Sequence, residues 1–240
     1  MINLKKRISL AIKERIMRHY LIPFSRFGVE PGLVEFLRPS GPINYVDVGA
    51  SSGFFAEAIQ RQYGVERGVL IEPQPARCEE LRAGFKAPCF SVHQCALSDQ
   101  ETACEMEVLN FDYSSSILSP RRDLVNVSTV LDLGVRERIA CRVTTLDILL
   151  REACWSGPID LLKIDVQGAE LMVLRGAEKT LSTVRFVLTE ISFKPLYEGS
   201  AVFSQVYDLL TARGFGLIAL KEGFRGHDGE LLQGDALFTA

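Results

Sequence analysis

An apolar strand that empties into a small-residue turn and then directly into a helix leaves a chain few architectures, and residues 43–59, INYVDVGASSGFFAEAI, have that form. Ile43, Tyr45, Val46 and Val48 favour extended backbone. Gly49, Ser51 and Gly53 let the chain turn tightly and come close to a ligand. From Phe54 onward, Phe55, Ala58 and Ile59 recur at helical spacing. Such a strand, turn and helix is how an α/β protein holds a nucleotide-like ligand.

The remainder repeats the alternation. Strands are expected at Gly68–Glu72, Cys89–Cys95, Ile159–Asp165, Val184–Ile191, Phe215–Leu220 and Ala236–Phe238, and helices at Pro75–Phe85, Leu146–Ala153, Glu170–Leu181 and Phe203–Arg213. Pro75 suits a first helical turn, Thr144 with Asp147 three residues on is close to a capping box, and Gly176 interrupts its helix. This order predicts a mostly parallel sheet with helices on both faces. A chain of 240 residues fits one large domain, able to bury roughly 70 to 75% of its unfolded surface. Between Asp99 and Val143 the rhythm breaks. Ala103–Leu109 and Arg138–Val143 read as paired strands around a polar stretch holding YSSSI at 113–117. A long loop in a compact domain is functional or mobile, so this insertion, at about residues 100–143, reads as a lid, an acceptor-recognition segment or a flexible surface excursion.

The composition of the turn selects its ligand. A dinucleotide fingerprint needs glycines at its first, third and sixth places so that a pyrophosphate can sit on the helix N-terminus. Counting from Gly49, the third place is Ser51 and the sixth is Phe54. Asp47, just ahead of the turn, suits a ligand amine and not a diphosphate. Glu72 closes the second strand 19 residues after Gly53, where a carboxylate can accept from ribose hydroxyls. A ribose and an ammonium without a phosphate describe S-adenosylmethionine (SAM).

Open α/β sheets bind ligands at the carboxyl ends of their strands, and three acids fall there: Glu72, Asp165 and Glu190. Lys163 and Asp165 lie two apart, on one face of a strand that should be almost wholly apolar. A buried charge needs a partner or a task. The two residues either neutralise each other or set Asp165 beside the methionine end of the cofactor, as a base for an acceptor hydroxyl or as a metal ligand. Glu190 either shares that work or binds a helix N-terminus. His93, inside a strand, reads as a core residue, and His227, in the Gly-rich loop at 224–229, reads as an approach to the mouth of the site.

The net charge of −3 conceals an asymmetry: Lys5, Lys6, Arg7, Lys13, Arg15 and Arg18 against Glu14 give residues 1–22 a charge of +5 and leave the rest at −8. The body offers no nucleic-acid footprint. In residues 1–24 basic residues alternate with Leu4, Ile8, Ile12, Ile16 and Tyr20, the four-residue spacing of an amphipathic helix. That helix suits an anionic membrane surface, a partner, or the flank of the main domain. A short lead-in helix at Pro31–Leu37 completes an N-terminal unit of residues 1–40 before the main domain of 41–240. The six cysteines form no CxxC pair and stand without a histidine cluster, so they spell no zinc site. With no signal peptide and no apolar run of about 18 residues, the chain reads as cytoplasmic, with its thiols reduced and mostly buried.

Taken together, VDVGASSG at 46–53, IEP at 71–73, ALSD at 96–99, TLD at 145–147, LKIDVQGAE at 162–170 and GDALF at 234–238 resemble the FkbM-type family of class I SAM-dependent methyltransferases. The resemblance covers about residues 43–240. Its most distinctive block surrounds Asp165, although Gln167 stands where the family often has Glu. It implies a Rossmann-like, seven-stranded α/β sheet of order 3-2-1-4-5-7-6, mostly parallel with its last strand antiparallel and with helices on both faces. It places Asp47, Gly49 and Gly53 around the methionine moiety, Glu72 on the ribose and the Cys95–Asp99 segment near the adenine, with Ala50, Ser51, Phe54, Pro73, Ala96, Leu97 and Asp165 completing the cofactor-binding set. The activity it implies is methyl transfer to an oxygen of a small molecule, sugar or glycan.

An attacking alcohol must lose its proton, which a positioned carboxylate or histidine assists. The candidates are Asp165, then Glu190, then His227. If Asp165 and Glu190 converge on the acceptor oxygen, hard carboxylates suit Mg2+, though the sequence itself marks no metal ligands. Two other readings stand beside this one: a SAM-fold module without transfer activity, and an NAD(P)-dependent oxidoreductase, which Ser51 and Phe54 disfavour.

Overall fold

The computed structural model describes residues 36–110, 115–121, 134–226 and 228–240. The expected helix of residues 1–24, nearly all of the lead-in helix, and His227 lie outside the described residues. In chain order the elements are β1 (Ile43–Val48), α1 (Phe54–Gln62), β2 (Val65–Ile71), α2 (Pro75–Gly84), β3 (Phe90–His93), β4 (Ala96–Leu97), β5 (Thr102–Leu109), β6 (Val135–Thr144), α3 (Leu146–Glu152), β7 (Ile159–Ile164), α4 (Glu170–Arg175), β8 (Val184–Ser192), α5 (Phe203–Ala212), β9 (Gly216–Glu222) and β10 (Gln233–Thr239).

Seven strands form the main sheet in the order β3-β2-β1-β7-β8-β10-β9. Counting only these seven gives 3-2-1-4-5-7-6, because β4, β5 and β6 belong to a second, three-stranded sheet of order β4-β6-β5. Pairing is parallel from β3 through β8, and β10 runs antiparallel to both β8 and β9. Strand order reverses at β1, with β2 on one side and β7 on the other, which sets the ligand crevice at the carboxyl ends of these strands.

The strand period of two explains why β1 and β7 read as nearly unbroken apolar runs: each feeds two cores. Val46, Val48, Leu162, Ile164 and Val187 join Leu146, Leu149, Leu171, Leu174 and Leu210 from α3, α4 and α5 on one face. Tyr45, Leu161, Phe186 and Leu188 join Phe55, Ile59 and Leu81 from α1 and α2 on the other. A minor core of Ala96, Met106, Cys141 and Val143 sits under the second sheet.

Two expected elements are shorter than the sequence suggested. The helix from Glu170 stops at Arg175, and a 3-10 turn follows at Thr180–Thr183. A Cβ on Gly176 would lie 2.1 Å from the Ser98 carbonyl oxygen, so this glycine lets the end of α4 press on the chain leaving β4. The strand expected at Cys89–Cys95 breaks after His93, where the chain leaves the main sheet and pairs Ala96 and Leu97 with Val143 and Thr144 of β6. Of the cysteines, Cys78, Cys95 and Cys141 are buried, whereas Cys154 is exposed. Among the described residues, no helix is long and apolar enough to cross a membrane.

Candidate active site

The turn after β1 runs through three residues of positive φ: Gly49 at 82°, Ser51 at 47° and Gly53 at 81°. The Gly49 and Ala50 amides both donate to the Ile71 carbonyl at 3.0 Å, which ties the turn to the end of β2. A Cβ on Gly49 would stand 1.9 Å from the Asp165 carbonyl oxygen, so the turns after β1 and β7 touch through this glycine. Gly53 serves packing: a Cβ there would meet the Phe85 ring at 2.5 Å.

A cleft of about 790 Å³, counted out to its open mouth, lies over these turns. It is lined by Val48, Gly49, Ser51, Ile71, Glu72, Pro73, Ala96, Leu97, Asp165 and Gln167. Of the residues expected to bind cofactor, Asp47, Ala50, Gly53 and Phe54 are not among those lining it. Gln74 and Met106 line it without having been marked by any motif, whereas Ser116 comes from the YSSSI stretch of the insertion. Gln74 follows a Pro and opens a helix, and Met106 sits inside a strand of the insertion, so no local pattern singles these two out.

Glu72 is 3% exposed and accepts from the Ser51 amide and the Gln74 amide, each at 2.9 Å. Burial pushes its carboxyl up to about 7, against the opposing pull of the Gln74 and Ser51 amides and of Arg77 and Lys163. A carboxylate has about four acceptor positions, so these two bonds leave capacity for ligand hydroxyls.

Asp47 is fully buried and turned toward Lys163, whose Nζ lies 3.2 Å away. The strand register explains this: Asp47 and Lys163 are direct partners on β1 and β7. Asp47, expected beside a ligand amine, is thus placed behind the turn with its carboxylate facing Lys163, and it does not line the cleft. Lys163 also donates to the Gly49 carbonyl at 3.2 Å and reaches Asp165 Oδ2 at 3.4 Å. Burial works against the Lys163 charge, but Asp47 and Asp165 outweigh it and raise the pKa above the usual lysine range. Asp47 supplies a buried counter-charge to Lys163, and the Asp165 side chain keeps 40% of its surface exposed at the cleft.

Glu190 does not line the cleft but is joined to it through Gln167, whose Nε2 donates to Asp165 Oδ1 at 3.0 Å and to Glu190 Oε2 at 3.2 Å. Gln233 Nε2 donates to the same Glu190 oxygen at 2.8 Å. Burial, with Asp165, Glu170 and Asp235 close by, holds the Glu190 carboxyl well above the usual carboxylate range. Glu170 accepts from the Val166 and Gly168 amides at 3.0 and 3.1 Å, and burial lifts it to about 7. Among the described residues, no group of three or more His, Cys, Asp or Glu side chains is arranged to hold a metal ion. The Mg2+ expectation required Asp165 and Glu190 to converge as ligands, and the Gln167 amide occupies the place between them. His93, half-buried in β3, bonds Ser91 at 3.1 Å.

The described part of the insertion crosses the site. Ser116 donates to the Val166 carbonyl at 3.1 Å, Pro120 bridges Tyr197, and the Arg121 amide donates to Leu196. Tyr197 in turn donates from its hydroxyl to Gln167 Oε1 at 3.1 Å. The segment 115–121 is thereby fastened to the β7 turn at one end and to the loop after β8 at the other.

The model of the methyltransferase FkbM domain matches residues 47–217. The 2-O-methyltransferase NoeI of Sinorhizobium fredii is 30% identical over 220 residues, covering 88% of this chain and 86% of that protein. The methyltransferase sdnD of Sordaria araneosa is 28% identical over 204 residues, covering 74% of each. A solved structure, the methyltransferase FkbM of Methylobacillus flagellatus, shares the fold at a TM-score of 0.51 and 17% identity, over 83% of this chain and 44% of that one. The fold, the cleft over the β1 turn and these matches lead to one conclusion: the chain belongs to the FkbM family of SAM-dependent methyltransferases.

Proposed function

We propose that this methyltransferase acts on oxygen, transferring the methyl group of SAM to a hydroxyl of a small molecule or carbohydrate. The observation that carries this reading is Asp165, a half-exposed carboxylate at the cleft, steadied by Lys163 and Gln167. The name of the Sinorhizobium relative, a 2-O-methyltransferase, supports the choice of oxygen.

The residues of the cleft fit SAM. Glu72 has acceptor capacity to spare for ribose hydroxyls, Ala96 and Leu97 offer an apolar wall for adenine, and the Gly49 to Ser51 turn would face the methionine portion. SAM supplies an electrophilic methyl group together with its leaving group, so the protein's task is to align the acceptor and exclude water. Asp165 accepts the hydroxyl proton as the oxygen attacks. Lys163 stands 3.4 Å from Asp165 Oδ2, and Asp47 supplies a counter-charge behind it at 3.2 Å. Glu190, whose carboxyl burial holds well above the usual carboxylate range, serves as a hydrogen-bonding neighbour rather than the base.

The test has two stages. Calorimetry should show that SAM and its demethylated product bind and that NAD does not. Methyl-labelled SAM is then offered with a panel of saccharides and hydroxylated small molecules. Asp165→Asn should lower turnover about 100-fold or more while SAM affinity changes little. Equal loss of both would make Asp165 a cofactor ligand, and binding without transfer to any acceptor would favour a non-catalytic module.

A further inference from the structure

Gln167 occupies left-handed backbone, at φ 56°, a region that disfavours residues bearing a Cβ. Its amide is nonetheless fully engaged, with Asp165 and Glu190 on the nitrogen and the Tyr197 hydroxyl on the oxygen. The two carboxylates come from the ends of different strands, and both reach the same nitrogen. Without that nitrogen they would face each other across a shared proton or a shared cation. The charged and titratable groups around the pair are Lys163 on β7 with Asp47 behind it on β1, Glu170 on α4, Asp235 opposite Glu190 on β10, and Tyr197 in the loop after β8. Lys163 reaches Asp165, and Gln233 provides a second amide on Glu190.

We propose that Gln167 is a positioning residue: its amide aims the Asp165 carboxylate into the cleft and keeps Glu190 a separate, non-competing partner, so that the pair works with no cation between them. The proposal rests on Asp165 as the acceptor-side base. Strain at φ 56° is consistent with such a task, because left-handed backbone at a non-glycine residue persists only where the surroundings hold it. No bond is made or broken at Gln167.

The experiment reads the carboxylates directly and needs no acceptor. The Asp165 and Glu190 side chains of the full chain are titrated by carbon-13 NMR in the wild type and in Gln167→Leu, with SAM affinity measured in both. In Gln167→Leu at least one titration should move by about one pH unit or more. Gln167→Glu, which sets a third carboxylate between them, should bind Mn2+ at least about tenfold more tightly than the wild type. Unchanged titrations in a Gln167→Leu protein that still binds SAM would overturn the proposal, as would a Gln167→Glu protein with no gain in Mn2+ binding. If Gln167→Leu does not fold, Gln167→Asn gives the same readout, since Asn tolerates left-handed backbone and shortens the amide's reach. If Asp165→Asn spares methyl transfer while Gln167→Leu still moves the titrations, the base assignment fails and the positioning role stands.

Discussion

Glu72 carries two burdens at one position, since it is buried at 3% exposure and yet expected to meet a ligand. Its carboxyl, lifted to about 7 by burial, is partly protonated at neutral pH in the free protein. Ribose hydroxyls donating to it favour the ionised form, so its pKa should fall when SAM binds. A fraction of a proton should therefore leave the protein on binding near pH 6.5, and Glu72→Ala should abolish that release. Calorimetry in two buffers of different ionisation enthalpy checks it. Gly49 is constrained by the backbone itself: Gly49→Ala places a carbon against the Asp165 carbonyl at positive φ, and should cost about 3 kcal/mol or more in a urea melt. Gly49 and Glu72 were legible in the sequence because a tight turn and a strand-ending acid are local patterns. Asp47 was not. Its partner Lys163 lies far along the chain, and no local pattern states which strand neighbours β1.

At the scale of elements, caps and crossings secure the cleft. Thr145 Oγ1 accepts from the Ile148 amide at 3.2 Å, an N-cap for α3 one residue later than the sequence suggested. Asp147 does not reach back to complete a capping box. It accepts instead from the Lys179 and Thr180 amides at 2.9 and 2.8 Å and from the Thr180 hydroxyl at 2.7 Å, pinning the 3-10 turn that follows α4. Asp147→Ala should thus lower stability by about 1 to 3 kcal/mol, measured by denaturant unfolding, more than the loss of a helix-start charge alone. The long strands were legible because their mostly apolar, β-favouring runs extend over six or more positions. The two-residue β4 was not, since pairing this short is decided by what β6 offers and not by local preference. The paired strands of the insertion were legible as strands, whereas the crossing of 115–121 over the cleft was not, because it depends on Val166 and Tyr197.

For the whole molecule, the carboxyls buried near the site set how stability responds to pH. Glu72 and Glu170 are both lifted from 4.5 to about 7 by burial. An acid with a raised folded pKa holds its proton longer in the folded state than in the unfolded one, so stability is greatest below the unfolded value and falls as pH rises through the folded one. The free protein should lose stability between about pH 4.5 and 7, by on the order of 3 kcal/mol for each such group. Unfolding melts across that window check the slope, and saturating SAM should flatten it through Glu72. The main sheet and its family were legible from spaced motifs, but the acceptor side depends on residues brought together from β7, β8, β10 and the insertion. Ala96 and Leu97 pair with β6 and not with the main sheet, so the wall assigned to the adenine is carried by the same unit that brings Met106 to the cleft and leads into the segment 115–121. An acceptor that shifts this segment should be felt at the cofactor without passing through β1 or β7. Such coupling is reciprocal: the factor by which an acceptor tightens SAM must equal the factor by which SAM tightens that acceptor.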